Sequence, residues 1–246
     1  MRLKPPHGWN AVAWELGIVT LGVLIALAAQ QWVEERSWSS KVSLAQAAIR
    51  DELAKHYSWS VEWRVVEPCI LAQIDVLQRR IANSGGRLEP APLYSDQSIS
   101  QYVLRIPSKD YADGAWQAAI SDGVAARFVP EVRSELNDHY LQVAGVQQET
   151  VKNTEEYASL LTLTRPIPLD PMVRFTLLNR LDTLRGRFDF MSLEAGQLID
   201  HIQKVGMLPD PVRARHDVER FGTYRFCRAR GLPMRSFADA MTAVPN

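Results

Sequence analysis

The apolar positions of this chain fall into one continuous run followed by a series of helical stripes. Between Glu15 and Glu34 lie 18 uncharged residues, Leu16 to Val33, and the apolar stretch reaches back to Ala11 once Glu15 is admitted. At 1.5 Å per residue, about 20 helical residues cover the roughly 30 Å hydrocarbon core of a bilayer. The run therefore predicts a transmembrane anchor over 11–33, behind a short tail over 1–10. Beyond it Val42, Ala45, Ile49, Leu53, Tyr57, Val61, Val65, Cys69, Ile74, Leu77 and Ile81 recur every three to five residues. That is one stripe of a long membrane-proximal helix over 34–82. Pro68 is expected to kink or break it, because proline lacks an N–H and its ring crowds the preceding turn.

Asn83 to Pro92 ("NSGGRLEPAP") reads as a loop by its Gly and Pro content. "SISQYVLRIP", Ser98 to Pro107, has no clean period of two and reads as short helix or irregular chain. Ala112 to Ser121 predicts a short helix stopped by Asp122-Gly123. Pro130 opens the next helix, with the stripe Val132, Leu136, Tyr140, Val143, Val146, Val151, Tyr157 and Leu161 running to about Leu163. Asp170-Pro171 and Asp210-Pro211 are both an N-cap followed by a first-turn proline. They start a helix to about Lys204 and a shorter one to Phe221. The remaining tail holds Cys227 and a short helix at Ser236–Thr242. No run of strand period appears. The expected fold class is all-α: one N-terminal transmembrane helix continuing into, or joined to, a long helix, with an irregular bundle. Residues 83–246 pack with 34–82 as one domain.

Tryptophans sharpen the reading of the apolar run. Trp9 and Trp14 precede it and Trp32 and Trp38 follow it, the places of an interfacial aromatic belt. A cleaved signal peptide is the competing reading, with Arg2 and Lys4 ahead of the run and Ala26-Leu27-Ala28 as a cleavage pattern. The long n-region with Pro5, Pro6 and Glu15, and a helical pattern that runs past Ala28, favour an uncleaved anchor. Lys/Arg counts barely separate the two flanks; the signal-like N-terminus favours a cytoplasmic tail and an outside body. Gly22, Ala26 and Ala29 lie on roughly one face and permit close approach of a second helix, so self-association through the span is one expectation. Glu15 invites a stator-like role in ion coupling, but its first-turn position beside Trp14 suits an interface residue.

The stretch "ELGIVTLGVLIALAAQQWVEER" followed by "AQAAIRDEL" resembles a family of bacterial single-span proteins of unknown function. In that family a Glu-led apolar span ends in a Gln/Asn-rich turn, a Trp and a charged cluster, ahead of a long amphipathic helix. "GAWQAAISDGVAARFVPEVRSELNDHY" is similar to its later part, through Trp116, Ser121, Gly123, Pro130 and Tyr140. Ala118-Ala119-Ile120 depart from the Leu-rich turn expected there. The resemblance covers roughly residues 1–80 and 114–140. It implies attachment to a bacterial inner membrane and a helical body, and brings no activity.

Composition narrows the chemistry. Apolar residues are 46% and charged residues 23%, as in a folded protein, and net charge is zero, so no global field points to nucleic acid. Lys204 to Arg235 holds eight Lys/Arg against Asp210, Asp217 and Glu219, read as a solvated face with an anionic-lipid contact as the alternative. Cys69 and Cys227 are too few for a zinc site. They either form one bridge, if the body lies in an oxidising compartment, or remain two buried thiols. His7, His56, His139, His201 and His216 are scattered without a metal or catalytic motif, and no phosphate loop, dinucleotide fingerprint or nucleophile elbow is present. Trp59 and Trp63, four apart, share a helix face and read as packing residues. No cofactor is implied and no catalytic residue stands out. The expected function is contact with the lipid bilayer and with a protein partner or a second copy. A helical sensor or ligand-binding module and a stator-like subunit are the alternatives.

Overall fold

The computed structural model describes residues 8–95 and 101–245. A single helix, α1 (Gly8–Asn83), takes up 76 of them without interruption, about 115 Å of rod at the standard rise. Every residue from 13 to 37 on it is exposed. Burial begins at Trp38, Val42 and Ala45 and is complete from Ile49 onward on the stripe read in the sequence. From His56 to Val66 only Trp59 is less than buried, so here α1 is a column enclosed on all sides. His56, Ser60, Glu62 and Arg64 are among the buried residues. A single-stripe reading did not anticipate this, because periodicity assigns polar residues outward.

Around this column run α2 (Gly114–Ser121), α3 (Pro130–Ser159), α4 (Pro171–Lys204), α5 (Pro211–Arg220), α6 (Gly222–Ala229) and α7 (Phe237–Ala240). α4 lies along α1, α3 packs on α4, and α2, α5, α6 and α7 close the remaining sides of the column. The class is all-α. Two ladders of two residues each, β1 (Arg87–Leu88) with β4 (Ile167–Pro168) and β2 (Tyr94–Ser95) with β3 (Gln101–Tyr102), only pin loops. The second corrects the helical reading of "SISQYVLRIP" in part, since Gln101–Tyr102 is extended; Ser98 to Ser100 lie outside the described residues.

Pro68 corrects another expectation: α1 runs through it unbroken. The proline denies Arg64 O its helical donor. The next carbonyl, Val65 O, accepts from Arg235 N–H at 2.9 Å. Around it Arg64 donates to Ala240 O and Thr242 O, and Arg235 pairs with Glu67, which also accepts from Ser192 Oγ at 2.8 Å. The C-terminal segment thus clasps the helix where proline weakens it. Gly196 permits the crossing: a Cβ there would stand 2.6 Å from Val244 Cγ2, while Val244 N–H donates to Gly196 O at 3.1 Å.

Two further expectations on the outer helices change. On α3, Val151 and Leu161 are 59% and 47% exposed, whereas Asn153 and Leu160 are buried. The helix ends at Ser159 and tightens into a 3-10 turn over Leu160–Thr164, which shifts the phase there and turns Leu160 rather than Leu161 inward. The exchange of Val151 for Asn153 lies within the α-helix, ahead of that turn. Gly222–Ala229, read only as tail, is α6; Tyr224, Phe226 and Cys227 are its buried face.

The long helix also needs its end satisfied. Arg174 on α4 donates to Ala82 O at 3.0 Å, Ser84 O at 2.7 Å and Gly85 O at 3.0 Å, and also to Ile81 O, at the terminus of α1. α4 itself starts on Asp170, whose carboxylate accepts from Val173 N–H at 2.8 Å. Asp170→Ala is expected to cost about 1 kcal/mol, seen as a lower urea midpoint at unchanged slope.

Candidate functional site

The described apolar stretch of α1 is long and apolar enough to cross a membrane, and residues 13–37 are all exposed. Trp14 and Trp32 are 74% and 63% exposed, and Trp38 is half-buried at the foot of the body. Trp9 lies in the first helical turns, its side chain outside the described residues. Gly22, Ala26 and Ala29 face outward from the rod, with nothing within 4 Å of where a Gly22 Cβ would stand. Glu15 is exposed on the same stretch.

At the junction of rod and body is a collar of cations on indole rings. Arg36 lies 5.5 Å from the Trp32 ring centre; Lys41 and Arg127 lie 4.8 Å and 5.0 Å from that of Trp38. Arg127 comes from a 3-10 turn, Val124–Arg127, entered through Gly123 at φ 71°, a left-handed conformation that glycine adopts without a Cβ penalty. The collar holds charge and aromatic surface together, the combination suited to the headgroup level of a membrane. Arg127 had no signal in the sequence; only the turn brings it beside Trp38.

Three of the scattered histidines converge inside the body. His56 Nδ1 and His139 Nε2 are 3.0 Å apart with stacked rings. His201 follows at 6.3 Å between ring centres, and its Nδ1 pairs with Glu135 Oε2 at 2.9 Å. Beside them Tyr140 donates to Glu52 Oε1 at 2.6 Å, and Ala115 N–H donates to Glu52 Oε2 at 3.1 Å. Burial is the main cause that lowers His56 to about 4 and takes His139 well below its ordinary value, the latter also through His56 and His201. Burial first, then Glu52, raises the Tyr140 hydroxyl. Neutral rings in direct contact can share one N–H···N bond. With His56 and His139 at 0% and 1% exposure, they join α1 to α3 from within and offer no surface to a substrate. His216 is exposed and apart from them; His7 lies outside the described residues. Among the described residues no group of three or more His, Cys, Asp or Glu side chains is placed to hold a metal ion.

Trp63 is buried against Phe188, and Trp59 lines a cleft of about 390 Å³ with Asp51, Lys55, Arg213 and Asp217. That cleft carries both signs of charge, so Arg213, part of the basic C-terminal run, faces acids there rather than an open cationic surface. Cys69 and Cys227 form a disulfide between α1 and α6, with Cα atoms 6.0 Å apart. No protein-family model, curated protein or solved structure matches the chain.

Proposed function

We propose that this chain is a bacterial inner-membrane protein with one span, its N-terminus cytoplasmic and its body periplasmic, working through protein contacts rather than catalysis. The continuity of α1 carries the reading. One helix passes from an exposed apolar stretch to the enclosed column of the body. Such a rod sets the height and orientation of everything packed on it. The collar at Trp32, Trp38 and Arg127 falls where the helix would leave the headgroups. A disulfide suits an oxidising compartment. Gly22, Ala26 and Ala29 provide the face for a second span, from another copy or a partner.

Reporter fusions after Asn246, one active only in the periplasm and one only in the cytoplasm, test the orientation; activity of the cytoplasmic reporter sinks it. Leu21→Arg with Leu24→Arg places two charges near the centre of the run, at about 5–7 kcal/mol on insertion scales. The expected outcome is loss of the full-length chain from the membrane fraction. Retention there would mean the run is not the anchor. Glu15→Gln is expected to leave membrane association and orientation unchanged, and any loss of an ion-driven phenotype would favour the stator-like reading instead.

A further inference from the structure

We propose that a small pocket in the body is a binding site for a planar molecule bearing an amide edge, of the lactam or carboxamide class. The pocket, about 220 Å³, lies between α1, the segment after β3 and α3. Trp63 and Tyr157 supply aromatic wall, and Leu104 and Pro107 supply apolar wall. Asn153 lines it from α3 and is 2% exposed, yet neither its Oδ1 nor its Nδ2 has a protein hydrogen-bond partner among the described residues.

A buried amide left without partners is costly to a fold. The threonine hydroxyls of α3 in the lining do not share this condition. Thr150 Oγ1 donates to Val146 O and Thr154 Oγ1 to Thr150 O, both at 2.9 Å, so these are spent on the helix. Helical phase puts Asn153 inward where the apolar Val151 is left outside. The carboxamide presents one acceptor and one donor side by side in a plane. Its complement is a ligand edge with an adjacent donor and acceptor, as in a lactam or a primary amide. The aromatic and apolar walls favour a flat remainder, the usual division between a few orienting polar groups and an apolar surface; Arg105 also stands in the lining. The mouth is reached past Thr154 and Ser108, both exposed. This site is independent of the orientation of the body across the membrane, so failure of either reading leaves the other standing.

The test uses the full chain in nanodiscs, titrated with 2-pyridone and benzamide, with toluene as a control of similar shape lacking the polar edge. Binding is read by saturation-transfer NMR, stability by thermal unfolding. Saturable binding of an amide probe, at least tenfold tighter than toluene, is expected. Asn153→Leu, close in size, should lose at least tenfold in affinity while melting at the same or a higher temperature, because it removes an unpartnered polar group. Thr154→Trp, at the exposed mouth, should block the probes with Asn153 in place. The proposal is overturned if neither amide probe binds, if Asn153→Leu binds them as well as the natural chain, or if Asn153→Leu melts lower. The last result would show that the amide serves the fold itself.

Discussion

Breaking the Cys69–Cys227 bridge lowers the stability of the body by about 5 kcal/mol in the chain-entropy account of disulfides. The loop it closes is long, with 158 residues of sequence separation, and the entropy removed from the unfolded chain grows with loop length. The bridge joins the turn of α1 just after Pro68 to α6, both sulfurs fully buried. It therefore ties α6 to the column. Urea unfolding of the body with and without reductant, and of a Cys69→Ala, Cys227→Ala variant, measures this. A fall in melting temperature of about 10 °C or more is expected for a domain of this size. A change of under about 1 kcal/mol would show that native strain or residual structure in the unfolded chain cancels the constraint.

The second large effect is on pH dependence, and two buried features oppose each other. His56, lowered to about 4, and His139, lowered well below 6.5, are neutral in the fold but protonate near 6.5 in the unfolded chain. Their contribution is present above pH 6.5 and lost as pH falls. Glu62 behaves in the opposite sense. Burial raises its carboxyl to about 7, against the pull of Lys109 and Arg105 and of the Tyr224 and Thr223 N–H groups at the start of α6. Its contribution is present below about 4.5 and lost as pH rises toward 7. Between pH 6.5 and 4.5 the unfolded chain gains roughly two histidine protons and lacks roughly one glutamate proton relative to the fold. Stability therefore falls as pH drops through this window, by a few kcal/mol. Glu62→Gln keeps an acceptor for α6 and removes the opposing group, so the loss should become about twice as steep. Unfolding midpoints at pH 4.5, 5.5 and 6.5 for the two proteins decide it. Equal slopes would mean that Glu62 is ionised in the fold throughout.

Much of the architecture was legible without coordinates. The apolar run, the caps at Asp170 and Asp210 and the stop at Gly123 are local signals, each resting on the chemistry of adjacent residues. They placed α1, α2, α4 and α5 to within a few residues. Pro68 misled because its effect is not local: whether a proline breaks a helix depends on what packs around it. Here the column encloses the helix, and Arg235 N–H bonds the neighbouring carbonyl, Val65 O. α6 was missed because eight residues make little more than two turns, too short to be told from loop although the segment is amphipathic; its buried face is completed by a disulfide to a residue 158 positions away.

The candidate sites were less legible, for a related reason. His56, His139 and His201 looked like isolated residues, since nothing in their spacing reports that three helices meet. Arg127 reaches Trp38 only through a left-handed turn. Arg174 serves the end of a helix that finished some 90 residues earlier. Asn153 was not singled out, because a polar residue on an amphipathic helix belongs outside by default.

By itself the sequence determined the apolar stretch, the helical class and the start points of most helices, because hydrophobic spacing and capping act over a few residues. The tertiary structure decided the rest. It made α1 an unbroken rod enclosed at its centre, joined Cys69 to Cys227, buried three histidines together and turned Asn153 inward. Each depends on groups far apart in the chain meeting in one low-dielectric interior, and local pattern has no access to such meetings.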